Sequence, residues 1–296
     1  METIVPLAAS TVCGPLGVAH LPRLWLKAVL AAAGLLPEDY LSGYAGTDRD
    51  VIDGIGLDAP GTFAYLVTLP SYQDFEVWVR ANATRLDAAP VAELNAKIAG
   101  RRRKPERAAA SRAALGLDGS DECRAALLNA LDDWASVYER AVSRTSEPVV
   151  PAVSSQSVGP LGLMHLPRFW MKATLDATGA LYDGWRSGRA SGFDCAFAAQ
   201  VGLDLDAAIA HVHAETPPYP RFEAWFVAHV DRAGPAEIAA HNAAFRARQK
   251  PADIAAEERG LLGIDDPSYR PSIEINDLID WRELHRIAGA AAAQRL

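Results

Sequence analysis

Apolar residues recur at three- and four-residue spacing through most of the chain, and no clear alternating strand pattern appears. The pattern predicts helices throughout. Pro22 and Pro167 stand where a helix begins, a place that tolerates proline. The helix opened by Pro22 runs through Arg23–Ala33 and stops at Gly34, and its counterpart stops at Gly179. After a Gly-rich stretch come short helices broken at Gly56-Leu-Asp58 and Gly202-Leu-Asp204, whose aspartates are placed as N-caps. A helix from about Ser71 carries Tyr72, Phe75 and Trp78 on one side, and one from about Pro218 carries Tyr219, Phe222 and Trp225. Further helices are expected near 90–99 and 237–248, and near 106–115 and 252–262. Each half then closes on an Asp-Trp helix, near 121–140 and 276–290.

The same text occurs twice. Gly14-Pro-Leu-Gly-Val-Ala-His20-Leu-Pro-Arg23-Leu-Trp-Leu-Lys27 returns as Gly159-Pro-Leu-Gly-Leu-Met-His165-Leu-Pro-Arg168-Phe-Trp-Met-Lys172. Landmarks follow in the same order: Tyr72/Tyr219, Glu76/Glu223, Asn95/Asn242, Asp133/Asp280 and Trp134/Trp281. A duplication predicts two homologous all-α domains, residues 1–145 and 146–296, packed as an internal pseudo-two-fold dimer. The Pro- and Ser-rich stretch 143–157, without helical periodicity, is the expected linker.

In Leu21-Pro-Arg23 with Lys27, Gly56-Leu-Asp58, and the copy-two motif Glu237-Ile-Ala-Ala-His-Asn242, the chain resembles a family of small bacterial helical proteins of unknown function. Those proteins usually carry one copy per chain. Copy one keeps Asn95 but has Pro90 where copy two has Glu237, and the Trp25/Trp170 and His20/His165 positions depart from the pattern. The resemblance implies the helical fold and the duplication, and no activity.

Arg23 and Lys27 share a helix face, as do Arg168 and Lys172, and His20 and His165 stand at the anion-favouring helix start. Each set can bind a carboxylate or phenolate and move a proton. The same residues also fit ion pairs with Asp133 and Asp280. Tyr72 with Glu76, and Tyr219 with Glu223, place a phenol beside a carboxylate, and Trp78 and Trp225 can wall a flat ligand. The same stripe also fits a packed core with an exposed glutamate. Six of the seven histidines fall in the second half, but His211-Val-His213 would point opposite ways on a helix and chelates poorly.

Composition narrows the partners. Half the residues are hydrophobic and the net charge is −8, which disfavours nucleic acid. The longest apolar stretch is broken by His20, Arg23 and Lys27, so no membrane span is expected. The start Met-Glu-Thr-Ile-Val-Pro lacks a signal peptide's basic segment, which predicts a cytoplasmic protein. The three cysteines form no motif, and no nucleotide, dinucleotide or zinc-hydrolase signature occurs. The expected function is a cofactor-independent lyase or isomerase on a small, aromatic, acidic molecule, by elimination, dehydration or loss of a small aldehyde. His165, Lys172, Tyr219, His20, Lys27 and Tyr72 would be its catalytic groups. Arg168, Arg23, Trp225, Trp78 and Glu223 would bind substrate, with no metal, and the chain could pair as a homodimer. The alternatives are a non-catalytic helical binding module and a His-ligated metal enzyme.

Overall fold

The computed structural model describes residues 2–117 and 119–295. The described chain is all-helical. The first half holds α1 (Leu21–Ala32), α2 (Gly46–Ile55), α3 (Ala59–Leu66), α4 (Tyr72–Asn82), α5 (Ala88–Gly100), α6 (Pro105–Ala114) and α7 (Ala125–Val142). The second holds α8 (Leu166–Thr178), α9 (Gly192–Val201), α10 (Leu205–Glu215), α11 (Tyr219–His229), α12 (Pro235–Arg246), α13 (Ala252–Leu262) and α14 (Ser272–Ala293). Among the described residues no single helix is long and apolar enough to cross a membrane.

Local chemistry set most of the boundaries. Prolines occupy the first turns of α1 and α8, and Gly179 closes α8 with φ of 73°. Asp58, Asp204 and Ser71 accept from the backbone N–H of Gly61, Ala207 and Asp74, capping α3, α10 and α4. The last helix of each half differs from expectation. Helix α7 starts later, at Ala125, whose N–H is held by the Arg101 carbonyl. Helix α14 starts earlier, at Ser272, whose N–H is held by the Arg248 carbonyl. Long-range backbone pairing, invisible to periodicity, fixes both starts.

The core crosses between the halves. Helix α1 packs on α14, and α7 on α8; α4 also meets α14, and α11 meets α7. The ring of Tyr72 lies edge-on to Trp281 at 4.5 Å, and that of Tyr219 edge-on to Trp134 at 5.1 Å. The Tyr138 hydroxyl donates to the Thr216 carbonyl at 2.8 Å, while His285 Nε2 lies 2.9 Å from the Leu69 carbonyl. Trp25, Trp134, Trp170 and Trp281 are all fully buried. Burying each contributes roughly 4–6 kcal/mol of apolar transfer, before ordering costs.

The stretch expected as a linker is not a solvated tether. Residues 150–155 are buried, as are Val5–Ser10 at the chain start. Neither segment is helical, so its carbonyls need partners. Arg23 Nη1 donates to the Pro6 and Ala8 carbonyls at 2.7 and 3.0 Å. Arg168 Nη1 likewise reaches those of Pro151 and Val153, at 2.8 and 2.9 Å.

Candidate functional site

His20 and His165 enter α1 and α8 with φ of 68° and 71°. This left-handed backbone costs a non-glycine residue about 1–2 kcal/mol. It accompanies a buried imidazole in each half. His20 Nε2 lies 2.8 Å from Asp48 Oδ1, and Lys27 Nζ donates to Asp48 Oδ2 at 2.6 Å. His165 Nε2 lies 3.0 Å from Asp194 Oδ1, and Lys172 Nζ donates to that oxygen at 2.6 Å. Asp48 and Asp194 sit in the first turns of α2 and α9, where the helix dipole favours a carboxylate.

Arg23 Nη1 donates to Asp133 Oδ2 at 2.6 Å, and Arg168 Nη1 to Asp280 Oδ2 at 2.5 Å. Thus the arginines form the ion pairs that the spacing allowed, whereas the lysines take different partners. Asp48 and Asp194 were missed from sequence. A signal existed: each precedes its Gly-Leu-Asp by the same number of residues in both halves.

Electrostatics follow from burial. Burial pushes His20 and His165 down to about 4, against the adjoining aspartate. Both rings are therefore neutral at pH 7, with Nε2–H facing the carboxylate and a lone pair left on Nδ1. Burial also lowers Lys27 and Lys172, against the same aspartates. It would raise Asp48 and Asp194, but the basic groups beside them hold both below the ordinary range.

The surroundings of the two clusters differ. His165 is ringed by Phe193, Phe197 and Phe245 at centroid distances of 5.0, 5.2 and 5.4 Å. Ser155 Oγ lies 2.9 Å from its Nδ1. Ser155, His165 and Asp194 thus stand in the order of a hydrolytic triad, yet all three are 0% exposed, with no route for a substrate. In the first half, Thr47 replaces Phe193 directly before the aspartate, and Val51 replaces Phe197. There a cleft of about 360 Å³ opens on His20, Arg23, Lys27, Tyr40, Thr47 and Asn129. Among the described residues, His20 Nδ1 has no hydrogen-bond partner. The Tyr40 hydroxyl donates to Asp133 Oδ1 at 2.6 Å, and burial lifts its pKa above the usual phenol range. In the second half Trp185 Nε1 makes the matching bond to Asp280 at 2.8 Å.

The Tyr–Glu pairs form a separate feature. Tyr72 and Tyr219 donate to Glu76 and Glu223 Oε1, each at 2.7 Å. Both glutamates are buried rather than exposed, and burial pushes each up to about 7 against the tyrosine bond. Gly14 and Gly159 lie directly over these pairs; a Cβ at either would collide with the phenol and the carboxylate. That close approach accounts for the opening glycine of the repeated motif. Asn95 and Asn242 then clamp the same loops, accepting from the N–H of Ala19 and Met164 and donating to the Gly17 and Gly162 carbonyls. Asp277, another residue missed from sequence, is pushed by burial to about 7 while accepting from Ser154 and Gln156 at 2.6 and 3.1 Å.

Other expected site residues lie apart from the clusters. Trp78 stacks on Tyr65 at 5.1 Å, and Trp225 lies between His211 and His229 at 4.5 and 4.2 Å. His213 turns to Asp176 instead, 3.3 Å away. Among the described residues no group of three or more His, Cys, Asp and Glu is placed to hold a metal ion. Among the described residues, none of the main clefts gathers Arg168, Lys172 and Tyr219. Tyr219 and Trp170 floor a cleft of about 330 Å³ that Arg168 and Lys172 do not line. The cations face carboxylates of their own half, and Tyr219 faces Trp134 of the other. No family model, curated protein or solved structure matches the chain, so the motif resemblance rests on its own residues and the site on its geometry.

Proposed function

We propose that the first half carries an open acid–base site for a small polar molecule, and that the second half holds its sealed, structural counterpart. One observation carries this reading: the same His–Asp–Lys and Arg–Asp arrangement borders a cleft beside Thr47 but is packed under phenylalanine rings beside Phe193. Beside the cleft the His20 imidazole, whose Nδ1 is buried and without a partner, is the base and the Tyr40 hydroxyl a proton donor, with Lys27 next to them. Such groups suit a lyase or isomerase step, in which one proton leaves carbon and another reaches the departing or developing oxygen.

The charge of the walls narrows the substrate. Arg23 and Lys27 are neutralised by Asp133 and Asp48, Asp132 is paired with Arg103, and Asp39 adds further negative charge. This favours a neutral or cationic polyhydroxy or amino compound over the aromatic acid expected from sequence. The test is a thermal-shift screen of wild type and Thr47→Phe against polyols, amines and aromatic acids. Polyols or amines should stabilise wild type and lose that effect in Thr47→Phe. Ligands that stabilise both proteins equally would remove the cleft from consideration.

A second reading is that the clusters serve only the fold, favoured by the sealed second half, where an equivalent set functions without access. The same screen separates the two, since a purely structural cluster gives no Thr47-dependent ligand. We also propose that the halves arose by duplication and pack about an internal pseudo-two-fold axis, supported by the repeated motifs and the reciprocal Tyr72–Trp281 and Tyr219–Trp134 contacts.

A further inference from the structure

A cavity of about 490 Å³ lies between the halves, away from both clusters. Val5, Leu7 and Val137 of the first half and Val150, Leu284 and Ile287 of the second form its apolar walls. The volume falls within the roughly 300–1,000 Å³ of small-molecule sites. Aliphatic walls around empty space forgo dispersion contacts that an apolar guest restores.

The cavity has one polar end. Arg140 Nη1 donates to the Thr3 carbonyl at 2.8 Å and lies 3.5 Å from Glu2 Oε1, while the Glu147 N–H donates to Glu2 Oε2 at 3.1 Å. Six residues after the shared tryptophan, α7 has Arg140 where α14 has Ile287. One wall therefore carries a guanidinium where its counterpart carries a hydrocarbon. Arg140 still has N–H groups to offer an oxygen, because a guanidinium carries five. Glu2 already pairs with this cation and Glu147 also lines the cavity, so the end disfavours a carboxylate.

We propose that this cavity binds a neutral aliphatic small molecule ending in one hydrogen-bonding oxygen, such as a medium-chain alcohol or ester. The body lies against Val137, Val150 and Leu284, and the oxygen accepts from Arg140. The site is independent of the first-half cleft.

The test is a calorimetric titration of the full chain with 1-decanol and with decanoate, with Tm measured alongside. Wild type should bind decanol saturably, one per chain, with a rise in Tm, and bind decanoate at least tenfold more weakly. Val137→Phe and the milder Ala152→Leu fill the cavity and should each weaken decanol at least tenfold; Ala152→Leu decides if Val137→Phe fails to fold. Thr47→Phe should bind decanol like wild type, which separates this site from the cleft. Absence of saturable decanol binding, decanoate binding as tight as decanol, or full binding by a folded filled variant would overturn the proposal.

Discussion

Two sets of side chains with matching contacts sit in very different surroundings. In the first half, His20 and Lys27 border a cleft, and His20 keeps a buried, uncommitted nitrogen. In the second, His165 spends its nitrogens on Ser155 and Asp194 beneath three phenylalanines. Bonding within the cluster is nearly constant, while what packs on top of it changes. A polar constellation alone therefore does not identify a working site. The second half even reproduces the Ser–His–Asp order, and its burial makes that order a packing feature.

The sharpest way to break this comparison is to remove the shared aspartates. Asp194→Ala leaves the buried Lys172 and His165 without their shared carboxylate, with only the Arg186 carbonyl and Ser191 hydroxyl still accepting from Lys172, and should cost about 3–5 kcal/mol. Asp48→Ala should cost less, about 1–3 kcal/mol, because water enters the cleft beside Lys27. Urea unfolding of both variants gives the order, and equal losses would mean that the first cluster is as sealed as the second.

Exchanging the covering residues comes next. Phe193→Thr removes a half-buried ring and should cost about 1–3 kcal/mol. Thr47→Phe should leave the urea midpoint nearly unchanged, since it covers open space rather than creating it. A large destabilisation by Thr47→Phe would place that side chain in packing instead of at a cleft.

The Tyr–Glu pairs sharpen the comparison because there the halves should agree. Glu76 and Glu223 have folded pKa values near 7, above the ordinary 4.5. A raised carboxyl supports folding fully below its unfolded pKa, and that support is lost as pH rises through 7. Glu76→Gln and Glu223→Gln should each gain about 1–3 kcal/mol relative to wild type by pH 8–9, and gain nothing at pH 4. Urea midpoints across pH would show it; a gain at acid pH would reverse the sign. The histidines act oppositely. Their folded values near 4 lie below the ordinary 6.5, so their support is full above 6.5 and lost as pH falls toward 4.

The smallest effect concerns the second donors to the arginine-bound aspartates. Tyr40→Phe and Trp185→Phe each remove one hydrogen bond, from Asp133 and Asp280, and should cost about 0.5–1.5 kcal/mol. Thermal melts that show no change in Tyr40→Phe would mean that water replaces the phenol across the cleft.

Much of the helical framework was legible in the chain. Prolines 22 and 167, the caps Asp58, Asp204 and Ser71, and the stop at Gly179 all act through neighbouring backbone, which local sequence encodes. The Arg23–Asp133 pair was legible because both residues recur in both halves. Periodicity shows which face of α1 is apolar but not that α14 covers it, so the exchange of partners between halves stayed hidden. Asp48 and Asp194 stayed hidden because a first-turn aspartate reads as an ordinary helix start. The contrast between Thr47 and Phe193 gains meaning only once the neighbouring histidine is known to face that position.

Accessibility of the two lysines tests the central claim most directly. Lys27 and Lys172 make the same ion pair, with side-chain exposures of 11% and 5%, so their access to the outside separates the halves. Native full-length protein should be pulsed with a small acylating reagent at pH 8.5, digested, and quantified by mass spectrometry at each lysine. Acylation of Lys27 at least tenfold faster than of Lys172, with the difference abolished by urea, is the predicted result. Equal rates in the folded protein, or faster labelling of Lys172, would contradict it.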